Sequence, residues 1–219
     1  MVDTIQPKVG PSRPTEWVLT ASILMGTILL AVSIFRWTLV KVLTPFIEPT
    51  LESILGVAFV IVLLWALVHF IWQAKKLGAK RAGTPLLVNV SVLLIVLFVP
   101  FSEITVGLNF RWNYSKRMEV VDAVLHGKMN QFITSSGGLG DFIHLPSSYR
   151  GLSDGGDIMV CRRDGQTLVF FFDFRGILDS FAGFVYSTDD TTPKNGDFGG
   201  RFVEIDHLRP NWYWASSAN

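Results

Sequence analysis

SILGVAFVIVLLWALVHFIWQA, residues 53–74, is an apolar segment without a single Lys, Arg, Asp or Glu. At 1.5 Å rise per residue its 22 residues reach roughly 33 Å, the thickness of a hydrocarbon core. Two more stretches of the same kind flank it, Trp17 to Phe35 and Pro85 to Phe101. Three such segments within the first hundred residues describe an integral membrane protein. The expected organisation is a tail over residues 1–16, a three-helix transmembrane region over 17–101 and a folded α+β domain over 102–219.

The charges are placed unevenly, and their placement predicts an orientation. Up to Phe101 there are eight Lys and Arg against four acids; from Ser102 onward there are 11 against 14. The turn between the second and third segments holds Lys75, Lys76, Lys80 and Arg81 with no acid, and short basic connections of this type stay in the cytoplasm. Counting outward from it, the N-terminal tail is cytoplasmic, while residues 37–49 and the C-terminal domain are extracytoplasmic. Trp17, Trp37 and Trp72 sit at segment ends, where amphipathic rings settle at headgroup level. The first segment is too long for a signal-peptide core and is expected to be retained.

Uncharged spans argue against transport, which needs ionisable groups or broken helices at membrane depth. They do hold contact chemistry. Ser22 and Gly26 form a small-xxx-small pair, and Asn89 can hydrogen-bond across helices. These residues suit packing within the trio or docking on other membrane subunits. His69 is the one titratable residue inside a span, and an imidazole there could ligate a haem iron or a chlorophyll magnesium, or simply hydrogen-bond a neighbour.

From Ser102 the pattern turns polar and aromatic. A connector leads to a helix capped by Ser115, with Met118, Val121, Val124 and Leu125 on its apolar face and Gly127 at its end. Residues 135–140, rich in Ser and Gly, read as a loop. Ile158 to Arg162 and Thr167 to Phe174 around Asp164 and Gly165 form a hairpin. Leu168, Phe170, Phe172 and Phe174 line one face of its second strand and Val169 and Phe171 the other, so that strand is central. Gly183 to Ser187 and Arg201 to His207 are further strands, giving an expected antiparallel sheet of four or five. The stretch 188–200 is a surface loop, and Trp212, Tyr213 and Trp214 form a closing aromatic run.

Chemistry-bearing residues are few. Cys161 has no second thiol to pair with, and no zinc spacing exists. Asp189, Asp190, Asn195 and Asp197 supply hard oxygens but match no calcium loop. Asp173, Asp179, Glu204 and Asp206 are the acid–base candidates; His144 and His207 flank no nucleophile, and Arg175 with Asp179 suits an ion pair. The domain is not basic and carries no recognition motif, so no nucleic-acid partner is expected.

The stretches LPSSYRGLSDGG (145–156) and FFDFRGILDSFAGFVYS (171–187) resemble a C-terminal module of uncharacterised bacterial membrane or exported proteins. The resemblance implies a bacterial origin and an external domain, and assigns no activity or site residue.

The reading these features favour is a non-catalytic accessory or scaffolding subunit of a larger bacterial inner-membrane complex, photosynthetic or respiratory, without a cofactor of its own. Its partners would be other integral membrane subunits and lipids. Phe198, Trp212, Tyr213 and Trp214 are the expected interface residues of the outer domain, because aromatics dominate contact energetics. The alternatives are a membrane-anchored ligand-binding or sensor protein, for which the inside portions supply no output domain, and a membrane-anchored enzyme.

Overall fold

The computed structural model describes residues 13–163, 165–176 and 180–218, and the chain divides after Ser102 into two compact units. The expected tail therefore lies mostly outside the described residues.

The first unit is helical: α1 (Arg13–Ile34), α2 (Arg36–Leu77) and α3 (Ala79–Phe98). Their apolar windows, Pro14–Ile34, Thr50–Leu77 and Ala79–Phe98, are each long enough to cross a membrane. Two expected connections turn out to be helix. Residues 37–49 belong to α2, and the basic turn is the end of α2 and the start of α3, broken only at Gly78 with φ +80°. Pro85 is accordingly inside α3 instead of opening it. Glycine is what allows this abrupt break, since the left-handed region penalises any Cβ.

The second unit begins inside α4 (Phe101–Leu125), after its first two residues. The helix starts fourteen residues before the expected Ser115 cap, and its buried positions Val106, Phe110, Arg117, Val121 and Val124 recur at helical spacing. The periodicity is masked in the sequence because one member of the buried stripe is an arginine. Seven antiparallel strands follow: β1 (Ile133–Gly137), β2 (Gly140–His144), β3 (Asp157–Arg163), β4 (Gln166–Arg175), β5 (Phe181–Ser187), β6 (Arg201–Arg209) and β7 (Trp212–Ala218). They lie in the order β1-β2-β3-β4-β5-β7-β6.

The fold is thus α+β, with seven strands where four or five were expected. The first missed pair is the β1–β2 hairpin. Its Ser and Gly residues have low strand propensity, and it forms because Phe142 and Ile143 pair with Met159 and Ile158 of β3. The other is β7, which returns beside β5 through a turn at Asn211, φ +69°.

As expected, β4 is central. Leu168, Phe170 and Phe172 enter a core with Met159, Phe181, Val185, Phe198, Tyr213 and Ala215. On the opposite face Phe171 meets Trp212, and Phe110 of α4 packs on Phe184 and Trp212 with ring centroids 5.7 and 5.4 Å apart. The helix covers one face of the sheet. The segment 188–200 brings Phe198 onto the other, 5.1 Å from Phe170. Each T-shaped pair of this kind adds about 0.5–1.5 kcal/mol beyond area burial.

Candidate functional site

An aromatic-walled cleft of the second unit lies where β2, β3, β4 and β5 run beside the turn carrying Phe198. It is a cleft of about 400 Å³ with Phe142, Met159, Phe172, Phe181 and Phe198 among its walls and Arg175 at its edge. Strand alternation builds it: Phe142 and Phe172 project from neighbouring positions on one face, and their rings lie 6.4 Å apart and within 7° of parallel. The Arg175 guanidinium rests 4.0 Å above the Phe172 ring, a cation–π contact.

Arg175 is held from its other side by Asp157. Its Nη1 donates to Oδ2 at 3.4 Å and its Nη2 to the Asp157 carbonyl at 3.4 Å, while its Nε is buried without a hydrogen-bond partner. Asp157 also accepts from His144 Nδ1 at 2.7 Å. A carboxylate offers no proton, so Nδ1 carries the hydrogen and Nε2 is the nitrogen outside that pair. The 3₁₀ turns of residues 150–156 fix this corner: the Ser153 hydroxyl bonds the Asp157 carbonyl and accepts from the Phe172 amide at 2.9 Å, and Asp154 Oδ2 accepts from the Arg175 amide at 3.2 Å. Residues 145–156 and 171–187 both contribute to this corner. The corner presents apolar ring faces and a guanidinium already balanced by a carboxylate. Sequence reasoning noted His144 and Arg175 separately and paired Arg175 with Asp179, which lies outside the described residues. The Asp157 partnership depends on the β2–β3 register, His144 opposite Asp157, which a single sequence does not display.

The other sequence candidates are distributed. Asp197 is buried against Arg163 and accepts from the Lys194 amide at 2.7 Å; Asn195 Oδ1 accepts from the Phe202 amide at 2.8 Å. Asp189 accepts from Gln166, Ser187 and Thr191, and Asp190 from the Asn211 amide at 2.6 Å and the Tyr213 hydroxyl at 3.1 Å. These carboxylates close turns, and among the described residues no group of three or more His, Cys, Asp or Glu converges on a metal-sized site. The Thr191 hydrogen bond holds the Asp189 carboxyl below its ordinary range, and the Asn211 amide does the same for Asp190. Glu204 and Asp206 are exposed on edge strand β6. Asp173 accepts from Asn109 Nδ2 at 3.1 Å on the α4 side. Cys161 is half-buried on β3, and burial pushes its thiol upward, away from nucleophilic character.

The residues expected at an outer interface lie inside the domain. Phe198, Trp212, Tyr213 and Trp214 are 5, 1, 5 and 3% exposed. The correction has a simple cause: a seven-stranded sheet with both faces covered needs more large side chains than a four-stranded one, and these rings fill it. They are not surface groups.

In the helical unit Ser22, Gly26 and Asn89 meet within the trio. Asn89 Nδ2 donates to Ser22 Oγ at 2.7 Å and to the Pro85 carbonyl at 2.9 Å, and the Ser22 hydroxyl donates to the Val18 carbonyl at 2.8 Å. A Cβ on Gly26 would lie 2.8 Å from Val92 Cγ2, so glycine is what lets α1 approach α3. His69 is buried, and its Nε2 has no hydrogen-bond partner, while Trp65 and Trp72 on the same helix are exposed. A haem or chlorophyll approaching that nitrogen would have to part the helices. No family model matches the chain, and no curated protein or solved structure matches it either.

Proposed function

We propose that this chain is a non-catalytic accessory subunit of a larger bacterial membrane assembly, docking by its helices and holding its seven-stranded domain on the extracytoplasmic side. The observation that carries this reading is how the helices use their surfaces. The Asn89 amide directs its hydrogens inside the trio, to Ser22 and the Pro85 carbonyl, while only 17, 17 and 22% of the residues in the three apolar windows are buried. The uncovered surface is apolar and suits lipid and neighbouring helices. The basic turn Lys75 to Arg81 supplies the orientation through the positive-inside bias. With the domain's aromatics committed to its core, docking falls chiefly to the helices.

Extraction in mild detergent followed by native mass spectrometry tests this. Stoichiometric co-migration with other integral membrane proteins is the expected result, and recovery of the chain as a lone monomer under conditions that keep known complexes intact overturns it.

A second reading, a membrane-anchored ligand-binding protein, is favoured by the cleft at Arg175. A flat aromatic group such as naphthalene would lie against the Phe142, Phe181 and Phe198 walls of the cleft, with Arg175 at its edge. Saturation-transfer NMR on the full chain in nanodiscs tests it: contact signals lost in Arg175→Ala support it, and signals identical in both proteins count against it.

A further inference from the structure

We propose that the first three turns of α4 form an interfacial membrane helix, laid along the bilayer surface with Ile104, Leu108 and Trp112 in the acyl-chain boundary.

These three residues follow one another at i, i+4 and i+8, and are 45, 62 and 90% exposed within a domain that buries Trp212 and Trp214 almost completely. They make one continuous stripe, on the side away from the buried Val106 and Phe110. The arc then turns polar, with Ser115 and Glu119 occupying it in the next two turns. Arg111 and Lys116, both exposed, flank the stripe, where their stems can cover apolar surface while the charges reach lipid phosphates. Glu103 falls on a different arc at 100° per residue.

The occupant follows from chain continuity. α3 ends at Phe98, itself an exposed end of a candidate span, and α4 begins at Phe101. Three Cα steps cover at most roughly 11 Å, so the start of α4 is tethered within that distance of the end of the span. The headgroup zone on each side is only about 5–8 Å deep. An upright helix would carry Trp112 roughly 17 Å from Phe101, out into water; a helix lying flat keeps all three side chains at the acyl boundary. A tryptophan flanked by basic residues is the side-chain set that this zone selects.

The test is site-directed spin labelling of the full chain in nanodiscs of phosphatidylethanolamine and phosphatidylglycerol. Leu108→Cys and, as a second variant should that one misfold, Ile104→Cys are labelled in a Cys161→Ala background, with Val203→Cys on β6, 64% exposed, as the water-facing reference. Collision with oxygen exceeding collision with a water-soluble nickel chelate at position 104 or 108, and the reverse at 203, is the expected result. Nickel accessibility at 104 and 108 equal to that at 203 overturns the proposal and assigns the stripe to a protein partner absent from the purified sample.

Discussion

Arg117 shows how a single side chain decides both the stability and the readability of this domain. It is 1% exposed, its guanidinium lies 3.8 Å from the centre of the Phe184 ring, and its Nη2 donates to Asn109 Oδ1 at 2.9 Å. Burial pushes it down to about 10, opposed by the charge of Asp173, so it stays charged at neutral pH. Arg117→Ala empties a buried slot and removes one of the donors to Asn109 Oδ1, leaving Asn113, an expected loss of about 3 kcal/mol. Arg117→Met refills the slot without a buried charge and should recover most of that loss. Thermal unfolding of the full chain followed by near-ultraviolet circular dichroism separates the two. Asp190 gives a prediction in pH. Its folded carboxyl is held down first by the Asn211 amide; burial opposes this, and Tyr213 and His207 add to the lowering. A depressed carboxyl contributes stability above its ordinary value near 3.9 and loses it as pH falls through the folded value. The difference in melting temperature between the native protein and Asp190→Asn should therefore be largest near neutral pH and vanish in strong acid. A constant difference across that range would contradict this.

At the scale of elements, legibility followed from how each element is stabilised. The spans were readable because hydrophobic length is a local property, and β3 and β4 because their alternation is regular. α4 was readable only from Ser115 onward: Val106 and Phe110 share its buried stripe, but the stripe passes through Arg117 and an exposed Leu108 and Trp112 lie opposite. β1 was missed because nothing in residues 133–137 favours a strand apart from β2 beside it. The Arg175 corner depends likewise on cross-strand register. Element contacts also make a prediction for the helical unit. Gly26→Ile places a branched side chain where a Cβ already stands 2.8 Å from Val92, and should prise α1 from α3. Asn89→Leu removes the bond to Ser22 across the helices, a loss of about 0.6–1.7 kcal/mol, together with the local bond to the Pro85 carbonyl. Cross-linking of cysteines placed on α1 and α3 should fall sharply for the first variant and little for the second; equal yields for both would contradict the close-packed contact.

For the whole molecule, composition spoke clearly about the membrane and little about chemistry, because the sheet consumes most of the aromatic residues that looked available to a partner. Apart from Leu125, Leu139 and Val203, the large apolar side chains exposed among the described residues belong to the spanning helices and to the start of α4. The account therefore rests on orientation: the charge pattern of Lys75, Lys76, Lys80 and Arg81 against a mildly acidic second unit. Substituted-cysteine labelling tests it most directly. In a Cys161→Ala background, Lys76→Cys and Val203→Cys, the latter 64% exposed on β6, are treated with a membrane-impermeant maleimide. The account predicts that position 203 is labelled in intact spheroplasts and position 76 only after permeabilisation. Labelling of position 76 in intact spheroplasts, with 203 protected until lysis, would place the domain in the cytoplasm and contradict it.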